Sequence, residues 1–382
     1  MVFAAAVLAA CTELGAWDMI RQESDASVWA ASMEITVDGS AVTEFMYDVP
    51  VLVRLEEPMF DYSLSRLQGE DIGFYSEPFE PGMEPMDHAI AEWNPNAASF
   101  FWVRLPLITP GSLVTFHMHV GSENASVAEN PEGVWRNGYA AVLGFDDADA
   151  RYTDATRFAN HGEVNVEGQS APTSVAGIIG EAISLSRLTD AVVIPNSATV
   201  EGLAPFTFSA WIRGPEGFGN SRLFEKGGHF INVKDNGAQT RFQVKIGHTI
   251  DRLFREWDTT GMPADTWTHV AVVWTGSANS GSLTLLVDGN GADTPVVSNV
   301  GPGESAAGTL ERYSGSSFTI GNGTGFGADR AFGRFADSED PGPFGAIDQF
   351  SVSFVPRSAN WVAVHVDTVR QTNMSYGPLV RR

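Results

Sequence analysis

The chain has 382 residues, with 23 Lys and Arg against 47 Asp and Glu, so its formal net charge is −24. So acidic a surface repels nucleic acid and anionic membranes and argues against partners of either kind. A hydrophobic content of 43%, with 39 Gly and 20 Pro, excludes wholesale disorder and favours strands joined by turns.

The first segment of the chain is apolar and ends at the single cysteine, Cys11. It is too short to span a bilayer but typical of the hydrophobic part of a signal peptide. Its last four residues, 8–11, resemble the lipobox of bacterial lipoproteins, in which the cysteine is lipidated after cleavage. The positively charged start of such peptides is missing, so a plain signal peptide or a fragment with an incidental cysteine is the alternative.

On the lipoprotein interpretation, residues 12–30 form a tether and the protein is exported. It would lie in the periplasm, at the bacterial outer membrane or on the cell surface, and would contact the membrane only through its lipid. With one cysteine the chain has no intramolecular disulfide.

Residues 31–138 predict an antiparallel β-sandwich, because short alternating runs are separated by Pro, Gly and Asn turns. His117 and His119 fall in one of these runs, and positions i and i+2 of a strand share a face. The pair would supply two ligands of a zinc site, but no third ligand can be assigned. The alternative is that both rings belong to a packed face. The predicted strands are residues 33–38, 49–55, 99–106 and 113–120.

Five pieces of this region, in order, resemble the bacterial domain of unknown function 2341. That family is defined by its sequence, so the resemblance implies a β-sandwich module and no activity. The matching pieces are residues 50–55, 71–74, 88–95, 102–106 and 116–122.

Residues 139–378 predict a second, larger β-sandwich. Asp288-Gly289 favours a tight hairpin turn, since a type I′ turn needs positive φ at both central residues. The order of its phrases resembles the laminin-G-like concanavalin jelly roll of bacterial surface proteins. That resemblance implies an antiparallel jelly roll, and the all-β chain would then consist of two sandwiches. The matching phrases are residues 141–147 with 154–162, 206–212, 267–274, 283–289 and 345–361.

Jelly rolls of this kind can hold calcium, a hard cation that takes six to eight oxygen ligands. By resemblance, Asp154 and Asp348 lie in the phrases that would supply such oxygens, and Asn160 lies in the same turn as Asp154. The alternative is that Asp154 and Asn160 cap turns through backbone N–H groups while Asp348 anchors a loop.

Enzymatic motifs are missing from the sequence. Concanavalin-like glycosidases place two carboxylates on one strand, roughly as E-x-D-x-E, and that string is absent here. There is also no G-x-S-x-G elbow and no phosphate-binding P-loop. We therefore expect a protein without catalytic residues.

Phe254 and Trp257 occur in a polar stretch, residues 252–260, which we interpret as a rim loop whose rings could stack on a sugar. The expected function is binding of a polysaccharide or glycoprotein, with calcium as a candidate cofactor. A scaffolding protein of the cell envelope is the alternative, and a glycoside hydrolase is a weaker one.

Overall fold

A computed structural model describes most of the chain from residue 29 onward. The described residues are 29–382 without 79, 81–82, 123–127, 147–150, 167, 169, 188, 215–220, 236–239, 260–261, 280–281, 292–296, 299–304 and 324–344. Cys11 and residues 12–28 of the predicted tether lie outside them. Two units can be distinguished: unit 1 is Met1–Asn130 with Gln371–Arg382, and unit 2 is Pro131–Arg370.

Unit 1 consists of two antiparallel sheets and a 3₁₀ helix, Tyr62–Leu64. The first sheet contains β1 (Ala31–Gly39), β3 (Ile72–Tyr75), β6 (Ser112–Val120), β24 (Met374–Tyr376) and β25 (Val380–Arg381). The second sheet contains β2 (Met46–Glu56), β4 (His88–Glu92) and β5 (Ala98–Ile108).

The alternating sequence of β1 determines how it packs. Its odd-numbered residues are buried and its even-numbered residues are not, as period-2 side chains require when one face of a sheet is covered. All nine residues pair with β6, from Ala31 opposite Val120 to Gly39 opposite Ser112. The strands predicted at residues 33–38, 49–55, 99–106 and 113–120 are confirmed as β1, β2, β5 and β6.

Unit 2 consists of two larger antiparallel sheets. The eight-stranded sheet contains β7 (Tyr139–Leu143), β10 (Thr173–Ala176), β11 (Glu181–Ser184), β13 (Phe206–Arg213), β18 (Thr268–Trp274), β19 (Leu283–Val287), β20 (Asn290–Gly291) and β23 (Ala346–Ser353). The nine-stranded sheet contains β8 (Arg151–Tyr152), β9 (Gly162–Glu163), β12 (Val192–Ile194), β14 (Ser221–Lys226), β15 (His229–Asp235), β16 (Thr240–Gly247), β17 (Arg252–Asp258), β21 (Val297–Ser298) and β22 (Phe318–Ile320).

An aromatic cluster joins the two sheets of unit 2. Phe208 and Phe350 come from the eight-stranded sheet, and their ring centroids lie 5.4 Å apart. Phe224 and Phe318 come from the nine-stranded sheet, with centroids 3.9 Å apart. Phe208 also stacks on Phe224 at 5.6 Å, so the core is continuous from sheet to sheet. This is the β-sandwich that the sequence predicted.

Unit 2 also contains two helices, α1 (Pro131–Val134) and α2 (Ala359–Val369). Ser358 caps α2, since its side chain accepts a hydrogen bond from the Trp361 N–H. The Asp288-Gly289 hairpin is confirmed: both residues have positive φ, 50° and 78°, and Val287 pairs with Asn290. No helix in the described part of the chain is long and apolar enough to span a membrane.

The division into units differs from the predicted boundaries at residues 138/139 and 378. Residues 131–138 belong to unit 2, where Trp135 packs edge-on against Tyr139 with centroids 5.0 Å apart. At the other end, residues 371–382 belong to unit 1 because β24 pairs with β1. The hydroxyl of Tyr376 also accepts a hydrogen bond of 2.9 Å from the Arg54 N–H.

Candidate functional site

Asp154 lies at the centre of a buried turn and is 5% exposed. Its Oδ1 accepts hydrogen bonds of 2.9 Å from the Val142 and Thr156 N–H groups. Its Oδ2 accepts from the Asn160 N–H at 2.8 Å and from the Thr156 hydroxyl at 2.7 Å. Burial raises the pKa of the Asp154 carboxyl, and these hydrogen bonds oppose that shift. Asp154 therefore ties the turn to β7.

Asn160 completes the same turn. Its side-chain amide donates to the Ala140 carbonyl at 2.8 Å and to the Thr199 hydroxyl at 2.7 Å, and its Oδ1 accepts from Ser197. The structure thus brings Asp154 and Asn160 together as predicted, in the turn-capping arrangement.

Asp348 holds a different turn, residues 177–180. The carboxylate is fully buried, and its Oδ2 accepts from the Ile178 and Ile179 N–H groups at 2.8 and 3.1 Å. Its Oδ1 accepts from the Gln349 N–H at 2.7 Å. Burial raises the pKa of Asp348 well above its ordinary value, and the nearby Asp146 carboxylate adds to that shift.

These three side chains do not fit a calcium ion. Calcium needs oxygens whose lone pairs point at the ion, whereas the carboxylate oxygens of Asp154 and Asp348 already accept N–H and O–H donors. Within the described ranges, no group of three or more His, Cys, Asp and Glu side chains could hold a metal ion.

His119 is 1% exposed and packs between rings, with centroids 5.8 Å from Trp29 and 5.5 Å from Tyr75. His119 therefore belongs to a packed aromatic face, which was the alternative to the predicted zinc site. Burial lowers its pKa to about 4, with smaller contributions from Arg382 and His117.

The predicted rim loop at residues 252–260 is largely strand β17, and this changes the interpretation of its two rings. Leu253 and Trp257 alternate into the core, where Trp257 is 2% exposed. Trp257 as a stacking platform for a sugar is therefore wrong, because its ring is covered on the core side of the sheet. Phe254 points to the opposite face and is half-buried, so it keeps an accessible part.

That opposite face carries a row of four polar side chains, which we call the polar ladder. Arg222, Asn232, Gln243 and Glu256 lie directly opposite one another across β14, β15, β16 and β17. The Asn232 amide donates to the Gln243 carbonyl oxygen at 3.2 Å, and the Gln243 amide donates to Glu256. All four are at most 8% exposed, so hydrogen bonding along the ladder is what makes their burial tolerable.

Two ion pairs fix the ends of the polar ladder. Arg222 Nε lies 3.2 Å from Glu225 Oε2, and Arg241 Nη1 lies 3.0 Å from Glu256 Oε2. Each of these buried carboxylates is therefore paired with a cation.

Beside the ladder lies a small group that we call the cationic rim: Lys245, Arg252 and Phe254. Lys245 is directly opposite Phe254, and the Arg252 guanidinium lies 5.9 Å from the Phe254 ring centroid. Lys245 and Phe254 are half-buried, and Arg252 is exposed. Burial lowers the pKa of Lys245, and the positive charges of Arg252 and Arg222 lower it further. Positive charges are therefore close together here, although the nearby Glu225 carboxylate raises the pKa of Lys245 and offsets part of their effect.

Sequence reasoning missed the polar ladder. The signal was available, since Thr240–Gly247 alternates polar and apolar residues as strands do. The register of the four strands, which aligns one polar residue from each, cannot be read from the sequence.

The chain was also compared with known proteins. Among solved structures it is similar to the binding domain of Paraclostridial Mosquitocidal Protein 1, at 15% identity over 61% of this chain and 52% of that chain, with a TM-score of 0.43. It is also similar to a structure titled as showing that cell entry of botulinum neurotoxin type C depends on interaction with two ganglioside molecules. The identity is 12% over 61% of this chain and 52% of that chain, with a TM-score of 0.42. The chain spans about half the length of these structures. No curated protein matches the chain.

A protein family matches the larger unit. Residues 186–363 match the Laminin_G_3 family, described as the concanavalin A-like lectin/glucanases superfamily. The match lies within unit 2 and includes the strands that carry the polar ladder and the cationic rim. Over residues 186–363 the chain is therefore similar to the concanavalin A-like superfamily, in agreement with its antiparallel sheets.

Proposed function

We propose that this chain binds acidic carbohydrate, as a polysaccharide or glycoprotein glycan, at the cationic rim, beside the buried polar ladder on the same face of the nine-stranded sheet. The observation that carries the proposal is the position of Lys245 directly opposite the half-buried Phe254, with the Arg252 guanidinium 5.9 Å from the Phe254 ring centroid. Lysine and arginine pair with carboxylate and sulfate groups, and an aromatic ring offers an apolar surface to a sugar.

The charge of the whole chain does not oppose a local contact of this kind. A net charge of −24 repels an acidic polymer at long range. At physiological ionic strength, however, the screening length is about 8 Å, so the charges nearest the ligand dominate. We expect binding that weakens as salt concentration rises.

The arrangement favours binding over glycoside hydrolysis. Glu225 on β14 and Glu256 on β17 do not lie on neighbouring strands, since β15 and β16 are between them. Both glutamates are engaged in ion pairs with arginines. We therefore propose a non-catalytic role. Export and lipid attachment at Cys11 stay predictions from the sequence.

A glycan array tests the proposal. The chain from residue 30 onward would be screened against acidic and neutral glycans of matched backbone, with calcium and with chelator. We expect retention of glycans that carry carboxylate or sulfate, unchanged by chelator because Asp154 and Asp348 do not fit calcium. A folded sample that retains no glycan, or only neutral ones, would overturn the proposal.

A scaffolding role is the second candidate, and one feature of unit 1 favours it. Tyr47 and Leu107 pair across β2 and β5 and are 60% and 37% exposed, and the nearby Phe45 is 60% exposed. Exposed apolar side chains in neighbouring positions are suited to contact with another protein. Co-purification of a stable partner with no glycan signal would favour this role.

A further inference from the structure

A small cavity lies beneath α2 in unit 2, and its polar lining consists of hydrogen-bond donors and hydroxyls. Its volume is about 20 Å³. Because one water-sized sphere takes up about 10–15 Å³ by the same measure, the cavity holds a single water or a monatomic ion and excludes phosphate or a sugar. The polar lining side chains are Tyr139, Thr207, Ser209, His269, Ser351, Ser353, Arg357 and His365.

His269 supplies the first unsatisfied donor. It is 1% exposed, and neither ring nitrogen has a hydrogen-bond partner. Its ring centroid lies 5.3 Å from Trp211 and 5.4 Å from His365. A neutral imidazole always carries one N–H, so one donor of His269 is buried without an acceptor, at a free-energy cost of its own.

Arg357 supplies the second unsatisfied hydrogen-bond donor. The residue is 7% exposed, and its Nε–H has no partner. The guanidinium lies between the rings of Tyr139 and Trp361, at 4.8 and 4.1 Å from their centroids, and donates to the Asn137 carbonyl. None of the ion pairs found among the described residues involves it. A buried cation with no counter-charge is costly.

The hydroxyls supply a third donor. Ser209 and Ser351 lie 2.9 Å apart and share one hydrogen bond, which uses only one of their two protons. Thr207 and Ser353 direct their protons to the Val355 carbonyl. One serine O–H is therefore left to donate, and no carboxylate is among the lining residues.

We propose that the cavity beneath α2 binds a halide ion of the size of chloride or bromide. A monatomic anion held in the cavity would accept from these lining donors and would offset the charge of Arg357. This site is independent of the proposed carbohydrate face, which lies on the other sheet.

Thermal unfolding of the whole chain tests the proposal, at constant ionic strength with bromide exchanged for gluconate. We expect a saturable rise of about 3 °C or more in the melting midpoint of the wild type. The rise should vanish in Arg357→Met, which keeps the aliphatic stem, and in Ser209→Ala/Ser351→Ala. Arg213→Met is the matched control, since Arg213 also stacks on an indole, that of Trp267 at 4.8 Å, but does not line the cavity.

A second measurement does not depend on whether the variants fold. Wild-type crystals grown in bromide should show an anomalous scattering peak between His269, Arg357 and the serine pair. A water at that position with no peak, together with a melting midpoint that does not respond to bromide, would overturn the proposal.

Discussion

Replacement of Asp154 by alanine is expected to lower the free energy of unfolding of unit 2 by about 3 kcal/mol or more. Asp154 accepts from three backbone N–H groups and one hydroxyl in a turn closed to solvent. Each buried donor left without an acceptor costs about 1–3 kcal/mol. The raised pKa of Asp154 shows that burial of its carboxylate has a free-energy cost. The alanine variant no longer has that cost, but this gain offsets only part of the loss.

Urea denaturation followed by circular dichroism would measure the effect. Asp154→Asn keeps one acceptor oxygen and should lose less stability than Asp154→Ala. Glu181→Ala is the control, because Glu181 is exposed in the same unit, and it should change stability by less than about 0.5 kcal/mol. An Asp154→Ala variant as stable as the control would mean that the turn is held by other contacts.

Acidification from pH 6.5 towards 5 is expected to destabilise unit 2. Burial lowers the pKa of His229 and of His365 to about 4, and that of His269 well below its ordinary value. An unfolded chain therefore binds protons near pH 6.5 that the folded chain does not, so stability falls as pH falls through this window. The raised pKa of Asp348 acts in the opposite direction and offsets part of the loss.

His229 shows why the neutral form is required. Its Nε2 donates to the Glu311 carbonyl at 2.7 Å, while its Nδ1 accepts from the Gly247 N–H at 3.0 Å. Protonation of Nδ1 would place two N–H groups against each other. His229→Gln should make the dependence of stability on pH shallower by up to about 1.4 kcal/mol per pH unit.

The midpoint of urea unfolding would be measured at pH 7.5 and at pH 5 for the wild type and for His229→Gln. His117→Gln, a half-buried position in unit 1, is the control and should leave the unfolding of unit 2 unchanged. Equal pH dependence in the wild type and His229→Gln would show that His229 does not contribute.

The strands of both units could be predicted because their patterns are local. Phe206–Arg213 and Thr268–Trp274 carry aromatic and β-branched residues with turn signals at their ends. Helix α2 could not be predicted in this way. Val362, Val364 and Val366 alternate as in a strand, and all three are buried, yet the segment is helical. Its cap at Ser358 and its packing override the low helix propensity of valine.

The candidate site was predicted only in part. Phe254 and Trp257 were assigned to the same surface, although they stand three positions apart in one strand. An odd separation in a strand places two side chains on opposite faces. The partners of Phe254 depend on register, since Lys245 comes from another strand. Register is set by turns and packing across the whole sheet, which a single sequence does not reveal.

Binding of an acidic glycan by point variants of the cationic rim tests the central claim most directly. Lys245→Gln and Arg252→Gln would be compared with Arg151→Gln, an exposed arginine on β8 at the opposite edge of the same sheet. Isothermal titration with the best acidic glycan from the array should show about tenfold or greater loss of affinity for each rim variant. The Arg151 variant should bind like the wild type. Rim variants that bind as tightly as the wild type, while remaining folded, would contradict a carbohydrate site on this face.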